Sequence, residues 1–179
     1  IMDSGVKSSD RTGTHIHINI SELTSTQVMS FVTAYYIMEE LIVSTCGPNR
    51  QGNHFCFRAV DAENITQSLS EAIRTKRFGN VMRDDYRYTA LNLLPIYKYG
   101  SLEFRALQTA TAFSNILPMC HILYSLREYA TQVRDPIEVV EQFSGGDVRG
   151  FMKHVLGKKS FEYVFEHSCI PPQMWNDVA

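Results

Sequence analysis

His15 and His17 alternate with isoleucines in the run Gly13-Thr14-His15-Ile16-His17-Ile18-Asn19-Ile20. A strand has a side-chain period of two, so both imidazoles and the Asn19 carboxamide leave one face while Ile16, Ile18 and Ile20 leave the other. Neutral imidazoles ligate metals, and protonated ones donate to phosphate. The plainer reading of the same run is an edge strand with a polar outer side.

A second alternating run, Tyr99 to Leu107, gives the first one a partner. Leu102, Phe104 and Ala106 share one face, and Ser101, Glu103 and Arg105 share the other. The Glu103 carboxylate offers hard oxygen to Mg²⁺, and the Arg105 guanidinium offers a planar fork to phosphate or carboxylate. Arginine is also concentrated nearby: Arg50, Arg58, Arg77, Arg83, Arg87 and Arg105 fall between residues 50 and 105, with few lysines such as Lys76 and Lys98. Arg74, Lys76 and Arg77 read as the solvated end of a helix, where cations suit the dipole. Arg58, Arg87 and Arg105 sit in otherwise apolar, strand-like segments and are the better anion-binding candidates.

Size and composition limit what these residues can belong to. The chain has 179 residues, 44% hydrophobic and 20% charged, which suits one folded domain. A net charge of -2 argues against a bulk nucleic-acid or membrane-surface binder. No apolar run approaches the roughly 20 residues of a membrane span. Cys46, Cys56, Cys120 and Cys169 form no C-x-x-C pair, so reduced thiols in a cytoplasmic protein are expected. The first residue is Ile1 and not Met, so either an upstream piece has been removed or, as is expected here, residues 1–179 are the C-terminal portion of a longer chain.

The elements that must position the two runs follow from periodicity. Residues 1–12 read as a loop. Ser21 to Ser25 reads as a turn, with Thr24 or Ser25 capping a helix to about Thr45 that Cys46-Gly47-Pro48 ends. Asn53 to Val60 reads as a strand with His54 and Arg58 on one side. A helix from Asn64 or Thr66 is expected to end near Phe78-Gly79, and Pro95 to break the segment 83–93. Beyond the second run, residues 112–133 read as a helix kinked at Pro118, followed by helices at 136–142, 147–156 and 159–167 with Gly157 as a cap between the last two. The tail from Pro171 to Trp175 reads as extended. The expected class is α+β, one domain, with a sheet-and-helix part over 1–110 and a helical part over 111–179.

Four segments together resemble a known family: Gly13 to Asn19, Asn53-His54-Phe55-Cys56-Phe57-Arg58, Arg87-Tyr88-Thr89-Ala90-Leu91-Asn92, and Gly100-Ser101-Leu102-Glu103-Phe104-Arg105. They are similar in kind and order to the amidoligases of phages, bacteria and fungi, relatives of glutamine synthetase among the carboxylate–amine ligases. The resemblance implies a concave antiparallel sheet of the glutamine-synthetase-like type with packed helices and a helical tail. It implies ATP- and Mg²⁺- (or Mn²⁺-) dependent amide formation through an acyl phosphate, on amino-acid, peptide or protein carboxylates and amines, in the cytoplasm (the host's, for a bacteriophage-encoded member). Carried over position by position, it implies His15 and Glu103 at metal, and Glu103, Arg105 and Arg87 as catalytic. His17, Asn19, Arg58, Tyr88 and Asn92 would bind ATP or substrate.

The family also begins with a strand carrying E-x-E, and nothing before His15 matches it; Asp3 and Asp10 lie in the expected loop. The expectation is half of an ATP site, completed by an upstream segment or another chain, with residues 1–179 alone catalytically silent. Two other functions compete. One is a non-catalytic structural or interaction protein on the ligase scaffold. The lower-ranked one is a metal-dependent hydrolase using His15 and His17 on zinc, which needs a third ligand.

Overall fold

The computed structural model describes residues 12–50, 52–54, 56–61, 63–75, 77, 87–109 and 113–179. The fold is α+β. Strand β1 is Gly13–Asn19, helix α1 Ser25–Ser44, α2 Glu63–Thr75, strand β2 Leu91–Asn92, α3 Pro95–Tyr99 and strand β3 Ser101–Gln108. Helices α4 Leu117–Gln132, α5 Pro136–Phe143, α6 Val148–His167 and α7 Trp175–Val178 complete it. Among the described residues the sheet is small, open and antiparallel, with β3 central in the order β1-β3-β2.

The β1–β3 pairing is the one the two alternating runs require. Ile18, Leu102, Phe104 and Ala106 are buried on the inner face, while His15 and His17 are exposed on the other. Helix α1 covers the inner face. Thr24 opens it with a capping box: its hydroxyl accepts from Gln27 N at 3.2 Å, and Gln27 Oε1 accepts from Thr24 N at 2.9 Å. The ring of Tyr35, fully buried in α1, meets Phe104 edge-on at 6.1 Å. Helices α4, α5 and α6 pack on the rest of α1, and Trp175 of the tail is fully buried against Phe161 and Phe165. Gly47, three residues beyond the end of α1, has φ of 108°, and a Cβ there would stand 2.1 Å from Gln108 Oε1. That close approach lets Gln108 N donate to Cys46 O and joins the end of α1 to the end of β3.

Several expected elements take other forms. The segment from Asn53 is a series of turns and not a strand: Cys56 N donates to Asn53 O, Asp61 N to Arg58 O, and Ala59–Asp61 is a 3₁₀ turn. Among the described residues its strand character is one parallel bridge, Phe57 to Thr89. Two aromatic residues at spacing two suit a strand or a turn sequence equally, and here Arg58 closes on Asp61. Pro95 starts α3, and Pro118 lies in the first turn of α4 and makes no kink, since the first turn is where a missing N–H costs nothing. Gly157 interrupts α6 with φ of 69° and ψ of 170°. The tail is a 3₁₀ turn, Pro172–Met174, followed by α7, because burying Trp175 needs a compact turn. Helix α2 ends at Thr75, and Asp3, Asp10, Phe55, Lys76, Phe78, Gly79 and Arg83 lie outside the described residues.

Candidate functional site

The polar face of β1 and β3 gathers around one carboxylate. His17 pairs with Glu103 across the ladder, and His15 reaches the same carboxylate diagonally. His15 Nδ1 lies 2.8 Å from Glu103 Oε1, and His17 Nε2 lies 3.7 Å from the same oxygen. The other oxygen, Oε2, accepts from Asn92 Nδ2 at 2.7 Å and from Arg105 Nη1 at 3.1 Å. Asn92 is itself fixed, because its Oδ1 accepts from Leu94 N at 3.0 Å. Four of the expected site residues, His15, His17, Glu103 and Arg105, therefore meet, with Asn92 as a fifth.

The electrostatics follow from that packing. Burial pushes the Glu103 carboxyl up, but the Asn92 hydrogen bond and the Arg105 guanidinium outweigh burial and hold it below the usual carboxylate range. For His15, burial and the Arg105 charge push the imidazole down and outweigh its attraction to Glu103. Neutral His15 facing an ionised carboxylate must keep its proton on Nδ1, which leaves Nε2 with a lone pair. That is the ligand form of histidine, its second nitrogen oriented by a carboxylate.

Other expected site residues are placed differently. Arg58 is engaged by Glu40 and by Asp61, the latter through Nε at 2.9 Å and Nη2 at 3.1 Å. Asn19 Oδ1 accepts from Ser21 N and Ser21 Oγ at 2.9 and 2.8 Å and so closes the turn after β1. Arg87 lies over the Tyr88 ring at 4.7 Å, and no ion pair among the described residues joins Arg87 to Glu103.

Sequence reasoning missed three contributors. Ser101 Oγ lies 2.9 Å from His17 Nδ1 and orients that ring. Tyr99 meets His17 edge-on at 6.2 Å from an exposed position. Ser101 was already on the polar face of the alternating run, so its role was legible in principle; Tyr99 depends on α3 and on Gly100, whose φ of 59° turns the chain into β3. The third is Arg50, whose guanidinium is buried beneath the site.

As a metal site the face fits one cation contact. Glu103 Oε2 is held by two donors, whereas Oε1 faces only imidazoles and can exchange one for a cation. Mg²⁺ characteristically takes one or two carboxylates and fills its shell with waters and substrate phosphates. Among the described residues no cluster of three or more His, Cys, Asp or Glu side chains forms a metal cage.

A comparison with family models places this geometry. Residues 2–116, more than half of the chain, match the model described as "Putative amidoligase enzyme". No curated protein and no solved structure matches. The matched span contains His15, His17, Asn92, Glu103 and Arg105 in the order that brings them to one sheet face, and the chain belongs to the amidoligase family.

Proposed function

We propose that this chain is an ATP-dependent carboxylate–amine ligase and that the polar face of β1 and β3 receives the phosphate-bearing end of the reaction. The observation that carries the reading is the convergence of His15, His17 and Arg105 on Glu103 in a member of the amidoligase family. In such a ligase a carboxylate oxygen attacks the γ-phosphorus of ATP, the bond to the β-phosphate oxygen breaks, and ADP leaves with that electron pair. The amine nitrogen then attacks the acyl carbon, and phosphate departs with one oxygen of the original carboxylate.

The chain's own residues suit the charge that builds up in these steps. Arg105 spends Nη1 on Glu103 and retains Nη2, which makes no hydrogen bond among the described residues. It therefore offers a fixed cation to phosphoryl oxygens or to the substrate carboxylate. Asn92 holds Glu103 in place, and His17, oriented by Ser101, lies beside the phosphates. Arg87, stacked on Tyr88, would form an outer wall with it; Arg58 and Asn19 are left out because their groups are already engaged. Glu103 Oε1 would hold a divalent cation, Mg²⁺ or Mn²⁺, in exchange for its looser contact with His17, while His15 Nδ1–H keeps that carboxylate oriented; when bound, the cation offsets phosphate charge. One carboxylate serves one cation, so any further oxygen ligands come from residues outside the described set or from another polypeptide laid along the outer edge of β1. Localisation in the cytoplasm belongs to the same proposal; among the described residues no helix is long and apolar enough to cross a membrane.

The scarcity of carboxylates at this face among the described residues favours one second reading, a scaffold that keeps the ligase fold without its chemistry. The two separate in one assay. The protein as the cell assembles it, with whatever polypeptide completes the outer edge of β1, is incubated with ATP, Mg²⁺ and amino acids and short peptides carrying ¹⁸O in their carboxylates. The ligase reading expects phosphate carrying one labelled oxygen, lost in Arg105→Met. Unlabelled phosphate would mean plain ATP hydrolysis, and the absence of both phosphate release and ATP binding would favour the scaffold.

A further inference from the structure

The register of β1 on β3 shifts by one residue between Thr14 and Ile16. Thr14 pairs with Leu107 and Ile16 with Phe104, so the single residue His15 faces two, Arg105 and Ala106. This is a bulge on β3 at the position where the site is built, and it takes His15 out of direct register with its partner strand. A bulge leaves backbone groups without their ladder partners and needs something to hold its shape.

Arg50 does this. It lies just beyond α1 in a 3₁₀ turn, Pro48–Arg50, and is 3% exposed. Its Nε donates to Ala106 O at 2.9 Å and its Nη2 to Arg105 O at 2.6 Å, the two carbonyls of the bulge. Its Nη1 donates to Thr12 O at 3.2 Å, on the residue that leads into β1. One planar fork thus ties the residue before β1 to the β3 bulge that faces His15. Among the described residues no carboxylate pairs with it, and its acceptors there are backbone carbonyls. Gly13 belongs to the same joint: a Cβ there would stand 2.5 Å from Arg50 Nη2 and 3.1 Å from Leu107 O. The glycine that opens the histidine run is the space through which the guanidinium passes.

We propose that Arg50 is a positioning residue that sets the β3 bulge, and through it the contact between His15 and Glu103, with Gly13 as its required clearance. The inference deepens the ligase reading by naming what aligns its two-histidine, one-carboxylate face. Its test reads the alignment and not turnover, so it can fail while the ligase reading stands, and the reverse.

The probe is the tautomer of His15, read from its side-chain ¹⁵N shifts at pH 8, where the ring is neutral. The Glu103 contact holds the proton on Nδ1, whereas an unconstrained histidine favours the proton on Nε2. Two variants perturb the joint in different ways: Arg50→Met removes the fork, and Gly13→Ala keeps every donor but occupies its path. In folded protein, checked by circular dichroism, both are expected to move His15 to the Nε2–H form and to leave the His17 shifts in place. Arg50→Lys, which keeps the charge without the fork, is expected not to restore the wild-type pattern. A folded Arg50→Met or Gly13→Ala protein with His15 still on Nδ1–H would overturn the proposal. Failure of both to fold would also overturn it, because Arg50 would then serve the fold as a whole and not this contact.

Discussion

Replacing Glu103 with alanine withdraws the acceptor from three donors at once: Asn92 Nδ2 at 2.7 Å, His15 Nδ1 at 2.8 Å and Arg105 Nη1 at 3.1 Å. Asn92 is 5% exposed, so water cannot fully replace the lost acceptor, and Arg105 loses the carboxylate that balances it. An unsatisfied buried donor costs about 1–3 kcal/mol, and breaking a buried ion pair costs about 3–5 kcal/mol. The two overlap here, and the Arg105 side chain retains some exposure, so a loss of about 3 kcal/mol is expected, the low end of the ion-pair range. With a urea slope of about 2 kcal/mol/M, the midpoint falls by about 1.5 M. Glu103→Gln keeps the shape and one oxygen and should lose about half as much. In a cycle with Asn92→Ala the two changes should couple by about 1–2 kcal/mol. An unchanged midpoint for Glu103→Ala, with an unchanged slope, would refute the claim that this carboxylate organises the face.

Three further outcomes follow from other parts of the molecule. Glu103 and His15 both titrate below their ordinary values, so each contributes stability that is present at neutral pH and lost on acidification. The His15 part begins to fall below about pH 6.5, and it should vanish from the pH–stability curve of His15→Gln; an identical curve would contradict the assignment. Glu39, buried in α1 with Ala59 N donating to it at 2.5 Å, is pushed by burial up to about 8, so it binds a proton when folded and loses it when unfolded. Its stability contribution therefore declines from about pH 4.3 upward, and Glu39→Gln should flatten that decline and be more stable than the parent at pH 8; lower stability there would show that the carboxyl is ionised. Thr24→Ala breaks the capping box of α1 and should cost about 1 kcal/mol in urea unfolding, whereas no loss would mean that tertiary packing alone fixes the start of the helix.

What the sequence made legible is what periodicity and local chemistry control. Ile16 and Ile18 against Leu102 and Phe104 fixed which faces of β1 and β3 turn inward, and that alone brought His15, His17, Glu103 and Arg105 together. Thr24 or Ser25 marked the start of α1, which the structure caps at Thr24, and Gly157 marked the break in α6. The segment around Arg58 misled because its two phenylalanines satisfy a strand pattern, while the Arg58–Asp61 pair that curls it into turns has no periodic signature. Arg50 was legible as an arginine but not as a buried one. Its partners are backbone carbonyls at a bulge, and carbonyls carry no residue identity. Gly13 likewise reads as an ordinary strand start until Arg50 is seen beside it.

The most direct measurement is calorimetric titration of ATP into the protein, with and without Mg²⁺, while the His15 and His17 ring signals are followed by NMR. Binding is expected to require the divalent cation, to shift both rings and to weaken in Glu103→Gln. Equal ATP affinity with and without Mg²⁺, or binding that leaves both rings undisturbed, would contradict it.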